Sequence, residues 1–301
     1  MASTSSTEAE GAAHPGMGKT QEFEYQVAGH PGVLVVEGNE MIIKPLNRRE
    51  QQFYEGANQS TDFKTFMPQY YGTLERAEPG SDPADVKEFI CLENLVHGFE
   101  KPCVMDFKIG SQLYDIDATP EKRERMEQKA ERTTSKRLGF VVTGMKVFGR
   151  PSAERDWCRG LAEETIVAAI SQYFSAAEEH VSARYRDYLI WQFVVEVTEL
   201  LEVVQQAECR MYSSSVLFVY DASKVKYERM FPNEGADSDG RKIRGFADRD
   251  SDGEENAADD SLLDMKAIDF AHSHWVPGQG PDEKYVAGLK KLIEVLQSLL
   301  S

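Results

Sequence analysis

The apolar residues of this chain come first in short extended runs and later at helical spacing. Val33-Leu34-Val35-Val36-Glu37 and Glu40-Met41-Ile42-Ile43-Lys44 flank the turn pair Gly38-Asn39 and predict a β-hairpin. Glu50 to Gln59 is expected to be helical. Phe89–Leu92 and Cys103–Ile109 read as further strands, with Gly98-Phe99-Glu100-Lys101-Pro102 as the turn between them. A charged helix is predicted from Pro120 to about Ser135, because Thr119 can cap it and proline suits the first helical position. Phe140–Phe148 looks extended. Leu161–Ala177 and Val181–Ala207 carry apolar residues three and four apart and predict core helices. Ser215–Tyr220 and Lys266–Ala271 read as two strands joined by a long acidic stretch. The last helix, Asp282 to Leu300, gathers Tyr285, Val286, Leu289, Leu292, Ile293 and Leu296 into one stripe. The order predicts an α+β protein whose N-terminal part is β-rich, with no internal repeat.

Composition narrows the class. A chain of 301 residues with 41% hydrophobic and 10% aromatic residues can bury a sizeable core. Its net charge of −17 argues against a nucleic-acid binder or an anionic-membrane binder. Much of the acidic excess lies in Glu234–Asp260, within an Asn233–Asp260 insert whose composition predicts disorder. There Ser238 and Ser251, each followed by acidic residues, resemble sites for an acid-directed protein kinase. Met1 to about Thr20 is also expected to be disordered. It holds Gly16-Met17-Gly18-Lys19-Thr20, which mimics the end of a phosphate-binding loop, but Ala13 stands where the first glycine is required. Cys91, Cys103, Cys158 and Cys209 lack metal-site spacing and fit a reduced compartment. No apolar run is long enough to span a bilayer, and Asn58-Gln59-Ser60 is a glycosylation sequon in form only.

Chemistry concentrates at four places. Asp106 and Lys108 stand two apart in an apolar strand, so they share a face, where a cation beside a carboxylate suits phosphoryl transfer and equally a surface salt bridge. Asp269, set in the apolar run Ile268-Asp269-Phe270, is costly to bury unless paired or bound to a metal. Lys44 ends a hairpin strand, where it could hold nucleotide phosphates or simply meet solvent. Lys122, Arg125 and Lys129 share one face of the helix from Pro120. Interleaved with Glu121, Glu124, Glu127 and Glu131, they fit a salt-bridged solvent helix as well as a polyanion site.

Pro102-x-x-x-Asp106-x-Lys108-x-Gly110, Ser213-Ser214-Ser215-Val216-Leu217-Phe218-Val219 and Ile268-Asp269-Phe270, in this order, resemble the motifs of the inositol polyphosphate kinase family, as does Ile43-Lys44-Pro45-Leu46. The resemblance implies a two-lobed kinase-like fold, with residues 21–93 as the N-lobe and 94–301 as the C-lobe. Within the C-lobe it implies an inositol phosphate-binding helix at 119–136 and an acidic insert at 233–262. It further implies ATP and Mg2+ as cofactors. Lys44 would bind the ATP phosphates, and the backbones of Glu93 and Leu95 the adenine. Asp106 would fix the nucleotide and the attacking hydroxyl, and Lys108 would contact the transferring group and substrate. Asp269, supported by Ser215, would hold the metal. His272, Lys122, Arg125 and Lys129 would contact substrate phosphates, with Lys146 and Arg159 as additions. Gly110 is expected to keep a side chain away from the phosphates.

The short segment between Lys108 and Phe140, with the compact length and acidic insert, resembles the multikinase branch of fungal type. The expected activity is transfer of the ATP γ-phosphate to inositol tris- and tetrakisphosphates, toward pentakisphosphate. The alternatives are an inositol hexakisphosphate kinase, an inositol trisphosphate 3-kinase, or a scaffold whose acidic loop recruits transcription regulators. The expected partners are soluble inositol polyphosphates and proteins docking on the insert, without nucleic acid or membrane insertion. A monomer in nucleus and cytoplasm is expected.

Overall fold

In the computed structural model, which describes residues 19–29, 32–36, 38, 40–57, 61–77, 86–153, 155–231 and 261–300, alternation and turn chemistry build two antiparallel sheets. The elements run β1 (Thr20–Glu22), β2 (Leu34–Val36), β3 (Met41–Pro45), α1 (Arg48–Gly56), α2 (Thr61–Lys64), β4 (Tyr70–Ala77), β5 (Val86–Glu93) and β6 (Pro102–Ile109). They continue with α3 (Pro120–Glu131), α4 (Ser135–Leu138), β7 (Phe140–Lys146), α5 (Arg155–Arg159), α6 (Glu163–Tyr173), α7 (Ser175–His180) and α8 (Ala183–Val204). β8 (Cys209–Met211), β9 (Ser215–Asp221), α9 (Lys224–Met230), β10 (Leu263–Ile268), β11 (Ser273–Trp275) and α10 (Glu283–Gln297) complete the order. The first sheet is ordered β1-β2-β3-β5-β4 and the second β10-β9-β6-β7, while β11 pairs with β8. Leu34 opposite Ile43 and Val35 opposite Ile42 set the hairpin register.

Strand β6 is buried on both faces, but the two faces do different work. Met105, Phe107 and Ile109 join the main apolar core with α6, α8 and α10. Phe193 of α8 stacks on Phe218 of β9 at 4.2 Å between ring centroids, and Phe107 lies 4.9 Å from the same ring. The period of two then sends Val104, Asp106 and Lys108 to the opposite face.

Helix starts follow their caps. Asn47, Thr119, Ser182 and Asp282 each accept a hydrogen bond from a backbone N–H in the first turn of α1, α3, α8 and α10. Among the element boundaries that differ from expectation, three bear on the core and the site. The helix from Pro120 stops at Glu131, and Thr133 turns its hydroxyl back onto the carbonyls of Lys129 and Ala130 before α4 begins. The apolar run Leu161–Ala177 breaks into α6 and α7 at Phe174, which is fully buried. The strand expected at Lys266–Ala271 ends at Ile268. All four cysteines are unpaired and buried, and burial pushes the Cys103 thiol up to about 11. No described helix is long and apolar enough to cross a membrane. Residues 1–18 of the tail, the Asn58–Ser60 sequon and the Asn233–Asp260 insert with Ser238 and Ser251 lie outside the described residues.

Candidate active site

Asp106 and Lys108 stand on one face of β6, beside a cleft of about 260 Å3 whose lining includes Lys108, Thr143, Ser215 and Asp269. Opposite Asp106, β7 carries a bulge, because Asp106 pairs with Gly144 and Phe107 with Val142. The extra residue, Thr143, donates its hydroxyl to the Asp106 carboxylate. Asp106 is 2% exposed. Burial raises its carboxyl to about 6, against the pull of Lys108, and Asp269 adds to the rise. Lys108 donates its ammonium to the Ser213 carbonyl. Gly110, directly after this strand, has φ +94 with open space around it, so its backbone conformation by itself calls for glycine.

Asp269 does not lie inside a strand. It follows β10 with φ +63, a left-handed conformation that aspartate tolerates better than most residues. The turn makes its carboxylate partly exposed and pairs it with Lys44 at 3.1 Å. Among the described residues, Ser213 and Asp269 are the non-glycines with positive φ, and both adjoin the cleft.

Lys44 also donates to Glu50 of α1 at 2.7 Å, and Glu50 accepts the Phe270 N–H at 3.2 Å. Burial alone would push the Lys44 ammonium down. The Asp269 and Glu50 carboxylates override it and hold the group above its ordinary value. Burial likewise raises the Glu50 carboxyl, with Lys44 opposing. Glu50 escaped the sequence reading. Its signal was an acid sharing the helical stripe of Phe53, Tyr54 and Ala57, a costly place for an unpaired charge.

Cations gather in the same cleft. Lys108, Lys129, Arg155 and Arg159 line it, contributed by β6, α3 and α5. Burial lowers the Lys129 ammonium, and Arg159, Lys108 and Arg125 lower it further, so an anion bound beside Lys129 would relieve this repulsion. Arg155, in a helix of five residues, carried no readable sequence signal. Lys122 and Arg125 lie on the same helix as Lys129 but outside the cleft lining. Lys146 is directed elsewhere, to Glu24 at 2.6 Å and the Tyr25 ring at 4.3 Å. His272 faces buried Asp115 at 3.8 Å, and Asp115 also meets Arg49 of α1. His274 sits opposite Arg210 in the β11–β8 pair, and no group of three metal-ligating side chains occurs among the described residues.

Glu93 ends β5, where its N–H donates to Gln69 and its carboxylate accepts from the Gln69 N–H, both at 2.9 Å. Asn94 then donates its N–H to Glu40, and Leu95 packs beside Val96 and Val104 at the passage between sheets. The donors near the turn after β10 are hard oxygens: the Asp269 and Asp106 carboxylates and the Ser215 hydroxyl. Asp269 disfavours the ionised form of Asp106, a like-charge cost that a divalent cation would offset. This set fits Mg2+, which commonly takes one or two carboxylates and completes its shell with phosphates and water.

Comparison with known proteins finds the family profile described as inositol polyphosphate kinase matching residues 89–297. The chain is 29% identical to the inositol polyphosphate multikinase of Saccharomyces cerevisiae, over 91% of its own length and 96% of that protein. It is 30% identical to the multikinase of Schizosaccharomyces pombe, over 94% of its own length and 98% of the relative. Human inositol hexakisphosphate kinase 1 is 30% identical, over 75% of this chain and 56% of that protein. A crystal structure of the S. cerevisiae inositol phosphate multikinase in complex with ADP and Mn2+ superposes with a TM-score of 0.71 at 30% identity, covering 87% of this chain and all of that one.

Proposed function

The chain belongs to the inositol polyphosphate kinase family, and from that premise we propose that it is an ATP-dependent multikinase phosphorylating inositol tris- and tetrakisphosphates. One observation carries the reading: Lys108, Lys129, Arg155 and Arg159 line the same cleft as Asp269, so a polyanion site opens onto carboxylates suited to a metal–nucleotide complex. Two yeast multikinases match along nearly their whole length, whereas the human hexakisphosphate kinase matches over about half of its own. This favours the multikinase branch over hexakisphosphate kinases.

Bound Mg2+ would neutralise phosphate charge and fix the nucleotide, with Asp269, Asp106 and Ser215 as its protein contacts. Lys44, held by Glu50 and Asp269, supplies a second positive charge to the nucleotide phosphates. The Glu93–Leu95 passage offers backbone groups to the adenine. Lys108, which lines the cleft, stabilises charge developing on the transferred group. Asp106 accepts from Thr143 and orients the attacking hydroxyl. Lys129, Arg155 and Arg159 hold the substrate's phosphates, with Lys122, Arg125 and His272 on the rim. Transfer is direct and in line, with no covalent enzyme intermediate. Incubation with each pure inositol phosphate and MgATP, products resolved by chromatography, tests the reading. Tris- and tetrakisphosphates should be consumed, and phosphorylation of the hexakisphosphate alone would overturn it.

A further inference from the structure

The segment Phe23-Glu24-Tyr25-Gln26-Val27 alternates apolar and polar residues and runs into Ala28-Gly29. Phe23, Tyr25 and Val27 pack with Val104, Val219 and Leu217, on the sheet face that bears Asp106 and Lys108. The segment then advances along β6 in matched steps of two residues. Lys146, the β7 partner of Val104, holds Glu24 at 2.6 Å and lies over the Tyr25 ring. At the next level Gly144, the partner of Asp106, meets Val27 so closely that a Cβ on it would lie 2.1 Å from the Val27 carbonyl oxygen. Beyond that, Ala28 and Gly29 line the cleft with Lys108, and a Cβ on Gly29 would lie 3.6 Å from Asp269 Oδ2. The Gln26 amide donates to the Ala28 carbonyl at 3.1 Å and braces this end. At its start the segment is anchored to the first sheet, where Phe23 donates its N–H to Val33.

We propose that residues 23–29 are a docked strap forming one wall of the phosphotransfer site, and that Gly144 is its seat. Gly144 is then a positioning residue: it touches no substrate, and its missing side chain lets the Val27 backbone lie flat at the level of Asp106. The strap carries Ala28 and Gly29 to the cleft, with Gly29 beside Asp269. This rests on the phosphotransfer reading above.

The test uses the full chain and Gly144→Ala. The added methyl cannot be accommodated with the strap in place, so the strap should lift. An aromatic-specific protease should then cut after Phe23 or Tyr25 at least about tenfold faster than in the unsubstituted protein. The kcat should fall at least about tenfold, with the KM for the inositol phosphate within about twofold. If Gly144→Ala does not fold, the double variant Tyr25→Ala/Lys146→Ala loosens the strap at its far end and should give the same pattern in weaker form. Strap cleavage that accelerates while kcat stays unchanged overturns the positioning role. Cleavage rates that match the unsubstituted protein in a folded variant overturn the docked strap itself. If the unsubstituted chain phosphorylates no inositol phosphate, the functional reading fails, while the cleavage rates still report on the strap.

Discussion

Replacing Glu50 with glutamine removes a charge while keeping the shape, and the structure sets what that should cost. Lys44 and Glu50 meet at 2.7 Å with side chains 17% and 2% exposed. Removing one partner of a buried pair typically costs about 3–5 kcal/mol, mostly because the other charge is left uncompensated. Here Lys44 keeps Asp269 at 3.1 Å, and the new amide can still accept from the Phe270 N–H. The expected loss is therefore smaller, about 1–3 kcal/mol in a urea melt. The functional effect should be selective. With Glu50 gone, Asp269 alone sets the position of Lys44, and Asp269 is also the carboxylate proposed to hold the metal. The KM for ATP should rise at least about tenfold, equivalent to about 1.4 kcal/mol, while the KM for inositol phosphate stays within about threefold. Steady-state kinetics with each substrate varied in turn measures both. Unchanged stability with an unchanged KM for ATP would refute the argument, and equal rises in both KM values would move Glu50 out of the nucleotide half.

Other perturbations probe separate parts of the site. Asp269→Asn should abolish transfer while the chain stays folded, with a loss of stability no larger than that of Glu50→Gln, since the oxygen proposed to hold the metal and a partly exposed partner of Lys44 are lost but bulk is kept; near-normal turnover would remove Asp269 from the metal site. Asp106 is held protonated up to about 6 against an ordinary 3.8, so the folded state retains this proton longer than the unfolded chain. Its contribution to stability therefore falls as pH rises from about 4 to 6 and stays low above that, by up to about 3 kcal/mol. Asp106→Asn should flatten that fall in nucleotide-free melts, and a difference between variant and parent that does not change with pH would contradict the buried carboxyl. Lys129→Ala with Arg159→Ala should raise the KM for inositol phosphate far more than that for ATP, and equal rises would return both residues to a general electrostatic role. Gly288→Ala should destabilise by about 1–3 kcal/mol, because its Cβ would lie 2.3 Å from the Gly139 carbonyl, which itself accepts the Gly110 N–H. A melt identical to the parent's would show that α10 can shift away from that turn.

What the chain reveals before folding depends on how far apart the cooperating residues lie. Asp106 and Lys108 could be placed on one face because a strand repeats every two residues and the intervening Phe107 needs the core. The caps of α3 and α10 were legible for the same reason, since cap and first turn are neighbours. Strands β4, β8 and β11 were not, because Tyr70–Ala77 mixes charge into its run and the other two are three residues long. Asp269 shows the limit most clearly. Its local apolar run suggested a strand interior, yet its conformation is left-handed, and the cation that offsets its charge lies 225 residues earlier in the chain. Gly144 is similar, since nothing beside it requires glycine and the reason is the Val27 carbonyl, delivered from the other end of the chain. Arg155 and Arg159 join the cleft only because α5 packs against β7. Motifs thus mark the residues whose neighbours in space are also neighbours in sequence. The rest of the site consists of contacts between distant segments, and these set the position of Lys44, the place of the strap and the number of cations in the cleft.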